Sequence, residues 1–222
     1  MKKWLQLEQV TTPDGSLLTL AAHDGDYAIR VNGRELMSSR HSHSEEQLGV
    51  LGCEPYAAQP AARVLIGGLG LGFTLRAALA TLAADAQVVV AELLPEVVTW
   101  NQNGAYRLAS DALADPRTEV VIGDVARVIE HSQARFDAIL LDADNQTTTM
   151  NTAGNDRLYR AAGLAAVHRA LTASGTAVYW SAGEDPGFAE RFSKSGFDVE
   201  VRRVRRHPSS KASHYLLIGK RR

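Results

Sequence analysis

The rhythm of apolar and polar residues changes near residue 40. Before it the period is two. Trp4-Leu-Gln-Leu-Glu-Gln-Val10, Ser16-Leu-Leu-Thr-Leu-Ala-Ala22 and Tyr27-Ala-Ile-Arg-Val31 read as short strands. Thr12-Pro-Asp-Gly15, His23-Asp-Gly-Asp26 and Asn32-Gly33 separate them as turns. This predicts a small antiparallel sheet over residues 1–40. Beyond it come continuous apolar runs: Val64-Leu65-Ile66, Gln87–Glu92, Thr118–Ile122, Phe136–Asp142 and Thr176–Trp180. Runs of this kind suit strands buried on both faces. Helical stretches stand between them, over residues 41–58, 74–83, 95–115 with a break at 101–104, from 126, over 156–171 and up to 195. Ser42 or Ser44 can cap the first. Residues 196–206 and 213–219 alternate again and predict a closing hairpin. The fold class is therefore α/β: a doubly wound, mostly parallel sheet with an antiparallel C-terminal hairpin, preceded by the small N-terminal sheet. The division expected is residues 1–40 and 41–222.

The chemistry gathers where strands end. Val64-Leu65-Ile66 runs into Gly67, Gly68, Gly70 and Gly72, and a helix follows at once. Glycines let a ligand approach the backbone, and a helix start offers unpaired N–H groups. Glu92 ends the second strand about twenty residues after the glycines, where a carboxylate can accept from both hydroxyls of a ribose. Asp124 follows the third strand and can meet an adenine amino group, cap the next helix, or both. Asp142 and Asp144 follow the fourth strand at the same edge. The polar stretch 146–155 after them reads as a lid over that edge. The glycine turn and Glu92 fit NAD as well. The acid after strand three, the closing hairpin and the Asp pair fit an S-adenosylmethionine-type ligand better.

Composition narrows the setting. The 222 residues carry 45% hydrophobic and 22% charged side chains with a formal net charge of −1, so neither nucleic acid nor a membrane surface is expected as a partner. Arg202, Arg203, Arg205, Arg206, Lys211, Lys220, Arg221 and Arg222 crowd the C-terminal end and read as a solvated face. The single cysteine, Cys53, allows no internal disulfide. With no long apolar run and no leader pattern, a cytoplasmic location is expected. His41 and His43 have no further ligands at metal spacing, so no metal site is expected.

From about Tyr27 onward the chain resembles the spermidine synthase (polyamine aminopropyltransferase) family. The resemblance rests on Val64-Leu-Ile-Gly-Gly-Leu-Gly-Leu-Gly72, Val90-Ala-Glu92-Leu93, Gly123-Asp124-Val125, Phe136-Asp-Ala-Ile-Leu-Leu-Asp142 and Asn155-Asp-Arg-Leu-Tyr159. It implies a methyltransferase-like Rossmann fold behind a small β-domain, and a homodimer. It implies decarboxylated S-adenosylmethionine or S-adenosylmethionine as cofactor, with Gly67, Gly68, Gly70, Gly72, Glu92, Leu93, Asp124 and Val125 binding it. Asp142 and Asp144 would be catalytic. Glu45, Glu46 and Tyr159 would bind a small-molecule amine.

Three places depart from the family's pattern. The family's turn carries an aspartate, which binds the donor's amine, where this chain has Gly70. Its Asp-Pro loop is replaced by Asp144-Asn145-Gln146-Thr147. Its Tyr-His-Glu stretch survives only as His43-Ser-Glu45-Glu46. Two alternatives therefore stay open: an S-adenosylmethionine-dependent methyltransferase on the same scaffold, and a nucleoside-binding protein without turnover.

Overall fold

A computed structural model describes residues 3–12, 15–142, 155–207, 209–210 and 212–222. Strands β1 (Leu5–Thr11), β2 (Leu17–His23), β3 (Asp26–Val31) and β4 (Arg34–Ser38) form an antiparallel sheet in sequence order. Asn32 and Gly33 both sit at positive φ, as the tight hairpin between β3 and β4 requires. Helix α1 (His43–Cys53) follows. It stops short of the expected residue 58 and passes into a 3₁₀ turn, Glu54–Tyr56. Pro55 explains the change, because it has no N–H to continue the α-helical ladder.

The main unit alternates β5 (Arg63–Gly67), α2 (Phe73–Thr81), β6 (Gln87–Glu92), α3 (Pro95–Gln102), α4 (Ser110–Leu113), β7 (Thr118–Ile122), α5 (Val125–Glu130), β8 (Phe136–Leu141), α6 (Ala161–Ala170), β9 (Leu171–Ser181), α7 (Pro186–Lys194), β10 (Phe197–Arg205) and β11 (Ser213–Arg221). Its seven strands lie in the order β10-β11-β9-β8-β5-β6-β7, with the last five parallel and β11 antiparallel to both neighbours. The chain grows outward from β5 to β7, then crosses back to β8 on the other side of β5. That reversal opens a crevice at the carboxyl ends of β5 and β8, where ligands bind in such sheets.

Alternate residues of each strand feed two cores. Val64, Ile66, Val88, Val90, Leu140 and Trp180 face one side, with α1 to α4 and Leu18, Leu20, Ile29 and Val31 of the N-terminal sheet. Leu65, Val89, Ile139, Leu141 and Tyr179 face the other, with α5 to α7. β8 is buried along its whole length, which accounts for the unbroken apolar run that announced it. The helix expected over residues 156–171 is instead a 3₁₀ turn, Asn155–Tyr159, followed by α6. Arg160, with extended backbone at φ −90° and ψ 163°, separates the two.

The outer strand β10 exposes Glu200, Val201, Arg202 and Arg203, and such charges guard a sheet edge against pairing with other chains. Arg206 behaves differently: it turns back toward Glu35 and His41. Among the described residues no helix is long and apolar enough to cross a membrane.

β9 begins five residues before the expected Thr176, with an irregular lead-in between the pairs Phe136–Leu171 and Ala138–Thr176. Asp137 holds this corner. Its carboxylate accepts from Arg63 N at 2.8 Å and from Thr172 Oγ1 at 3.1 Å. Asp137→Ala strands a backbone N–H at the start of β5, so unfolding in urea should show a loss of about 1–3 kcal/mol with an unchanged denaturant slope.

Candidate functional site

The glycine turn is braced by both neighbouring strands. Gly68 N donates to Ala91 O at 2.9 Å, and Asp142 N donates to Gly67 O at 3.1 Å. Leu69 and Leu71 point into the core as anchors. Between and after them the backbone is left-handed, at φ +54° for Gly70 and +81° for Gly72. Space matters as much as dihedral preference: a Cβ on Gly72 would lie 2.2 Å from Ala109 Cβ. A Cβ on Gly70 would lie 2.7 Å from both the sulfur and the terminal methyl of Met37. The thioether of β4 therefore covers the turn at the position where the family resemblance leads one to expect an acid.

Glu92 closes the turn from β6. Its Oε2 accepts from Leu69 N at 2.8 Å and its Oε1 from Leu94 N at 2.9 Å. Burial raises its pKa, and backbone amides of Leu94, Leu69, Gly70 and Leu93 oppose that shift. Leu93 is exposed at the rim beside it. Asn101 completes the brace, donating through Nδ2 to Gly70 O and to Val97 O, each at 2.8 Å. Its Oδ1 is buried with no partner among the described residues. In the sequence Asn101 had marked only an interruption of a helix.

Asp124 does double duty. Its Oδ1 caps α5, accepting from Ala126 N at 2.8 Å. Its Oδ2 pairs with Arg157, from the 3₁₀ turn Asn155–Tyr159. Val125 is buried and lies beside Gly67.

Asp142 stands at the end of β8, with its Oδ2 3.5 Å from the hydroxyl of Thr74. That hydroxyl donates to the backbone carbonyl of Glu45 at 3.2 Å. Thr74, buried in the first turn of α2, thus links the end of β8 to α1. Glu45 takes the hydrogen bond of Ser44 Oγ, and Glu46 takes that of Ser42 Oγ at 2.8 Å. Burial raises the pKa of Glu45, against the pull of Ser44. The ring of Tyr159 packs 5.2 Å from Tyr179 and 5.0 Å from Phe188, on the α6–α7 side of the sheet. Asp144 and the lid expected over residues 146–154 lie outside the described residues.

Other candidates fall away from the chemistry. Cys53 is buried and its thiol is pushed up to about 12, so it is no nucleophile. Among the described residues no three His, Cys, Asp or Glu side chains come together as metal ligands.

No family model matches the chain, and no curated protein matches it in sequence. Solved structures do match in fold. A spermidine synthase in complex with the transition-state analogue AdoDATO superimposes with a TM-score of 0.76 at 21% identity, covering 97% of this chain and 73% of that one. The spermidine synthase of Thermotoga maritima gives 0.73 at 19% identity, covering 97% and 72%. The chain therefore has the spermidine synthase fold: a small antiparallel sheet ahead of a methyltransferase-like Rossmann unit.

Glu92→Gln removes one acceptor from a buried pair of amides, so unfolding stability at neutral pH should fall by about 1–3 kcal/mol. A folded carboxyl pKa raised above the ordinary glutamate value means the folded state holds the proton longer. The Glu92 contribution to stability therefore declines as pH rises from there through the folded pKa. Wild type minus Glu92→Gln, measured by urea unfolding from pH 4 upward, should have a negative slope in that window.

Proposed function

We propose that the protein is a transferase of the spermidine synthase type, which binds an adenosyl-sulfonium donor at the glycine turn and passes its aminopropyl group to an amine. One observation carries this reading. The turn, Glu92, Asp124 and Asp142 all come to the carboxyl edge of β5, β6, β7 and β8, around the crevice at the strand reversal. A spermidine synthase of the same fold was solved with AdoDATO, which supports the same ligand class here.

The residues present fit the nucleoside part of such a donor. Each Glu92 oxygen has one amide partner and a lone pair left for a ribose hydroxyl. Asp124 stands at the adenine end, with Arg157 beside it. When bound, the donor supplies a carbon already activated by a positive sulfur. The protein's task is then alignment and proton removal. Asp142 faces the crevice from β8, placed to hold the incoming ammonium and lower the cost of bringing it to that carbon.

A second reading, methyl transfer from intact S-adenosylmethionine, is favoured by Met37 over Gly70. An apolar thioether there offers no counter-charge to a donor ammonium.

Isothermal calorimetry with both donors tests the two. At least tenfold tighter binding of the decarboxylated donor, about 1.4 kcal/mol, supports aminopropyl transfer. The reverse preference supports methyl transfer, and failure of both donors to bind at millimolar concentration overturns the donor assignment. Asp142→Asn should leave donor affinity within threefold while lowering kcat by roughly 10²–10⁴; unchanged turnover would remove Asp142 from the mechanism.

A further inference from the structure

Asp142 has a neighbour in the sheet that the chemistry above does not use. β8 and β9 run parallel with Leu141 opposite Tyr179, so the next residues, Asp142 and Trp180, stand side by side at the carboxyl edge. Side chains alternate along a strand. Leu141 and Tyr179 enter the core under α5 to α7, and the residues after them turn to the opposite face. There Thr74 of α2 reaches Asp142 Oδ2, and Trp180 joins the core under α1 to α4. β11 extends the row. Leu216 pairs with Trp180, and His214, two residues before it, meets Ser44 Oγ of α1 through Nδ1 at 2.8 Å.

Trp180 is 8% exposed, and its ring packs edge-on against His214 with centroids 4.5 Å apart. Its Nε1 is buried with no partner among the described residues. An indole N–H only donates, and a buried donor without an acceptor carries a desolvation cost. A phenyl ring would fill most of the same space without that cost. Its place beside Asp142 gives the N–H a use: the missing acceptor atom arrives with the ligand.

The chemistry of that atom is narrowed by its surroundings. An ammonium also only donates, so the second nitrogen of a diamine cannot meet Nε1 while charged. A carboxylate accepts, but Asp142 beside it carries like charge, and the cations nearby are not free for it. Burial, then Arg206 and His41, bring His214 down to about 4, which leaves its ring neutral at neutral pH. Arg206 is engaged with His41 at 3.5 Å and Glu35 at 3.9 Å. An uncharged oxygen satisfies the N–H without either conflict.

We propose that Trp180 selects the acceptor: the amine held at Asp142 carries an uncharged oxygen, a hydroxyl or an amide carbonyl, which accepts from Trp180 Nε1. This rests on the crevice taking an amine at Asp142, as proposed above, and it names the class of that amine.

Proton–nitrogen NMR of the indole groups in the full chain reads the contact without turnover. Loss of one signal in Trp180→Phe assigns it. The probes are diamines, amino alcohols, amino amides and amino acids of matched length, two to four carbons, each added with and without S-adenosylmethionine. An amino alcohol or amino amide should move the Trp180 N–H signal downfield. By calorimetry Trp180→Phe should weaken its binding about threefold to tenfold, the worth of one hydrogen bond, and leave the diamine of equal length within twofold. A Trp180 signal unmoved by every probe, or moved as far by the diamine, overturns the proposal. So do equal losses for all probes in Trp180→Phe, which would make the ring packing alone, and a larger response to the amino acid, which would make the oxygen a charged one. A shift produced by S-adenosylmethionine with no further change on adding amine assigns the oxygen to the donor and overturns the acceptor class. Turnover of a diamine with the Trp180 signal unmoved sinks this inference and leaves amine transfer standing. A response to the amino alcohol with no turnover of any amine upholds the contact and counts against transfer.

Discussion

The Glu92 carboxylate between two backbone amides is the constraint on which the crevice depends. A nearly buried carboxyl group is costly unless hydrogen bonds satisfy it. Leu69 N and Leu94 N supply them, at 2.8 and 2.9 Å. The same two bonds decide the path of the chain. Leu69 N can point at Glu92 only if the turn rises steeply off β5, and that rise forces Gly70 and Gly72 into left-handed backbone. Parallel pairing of Gly67 with Ala91 then fixes how far Glu92 stands from the turn. Structural and ligand-binding roles are thus not competing accounts of this residue. A carboxylate already aligned by two amides presents its remaining lone pairs in fixed directions, with little reorganisation left for a ligand to impose.

Much of this was legible along the chain, for physical reasons. A strand buried on both faces leaves an unbroken apolar run, so β6 occupies the residues expected of it, Gln87–Glu92; β7 also matches its expected Thr118–Ile122, although as the edge strand it is only partly buried. Acids that follow successive parallel strands must share one edge, which is why Glu92, Asp124 and Asp142 could be grouped before any coordinates. Helix ends were less legible, because they turn on local events such as Pro55 or the extended Arg160. The least legible residues were those brought in by packing across the fold. Asn101, Thr74, Met37, Arg157 and His214 carry no spacing signal, since each reaches the site from an element whose position only the folded sheet defines. Arg206 makes the same point: within a run of arginines it looked like solvated edge, yet it turns inward beside His41.

The two halves of the crevice are built by different means. The half around the glycine turn is made of backbone: a turn, two amides, a helix cap. Its tolerance for change is small, because a side chain at Gly72 meets Ala109 directly. The other half is made of side chains from α1 and from β11, which precede and end the main sheet, with Met37 contributed by the N-terminal sheet. Such groups can be exchanged one at a time without disturbing β5 or β6.

Charge placement separates the two halves. Among the described residues an uncharged thioether, Met37, lies over Gly70, while the carboxyl groups Asp142, Glu45 and Glu46 stand after β8 and in the first turn of α1. An amine cation would therefore be favoured on the α1 side. For nucleophilic attack by an amine, that asymmetry helps only if the cation can become neutral before reaching the donor carbon.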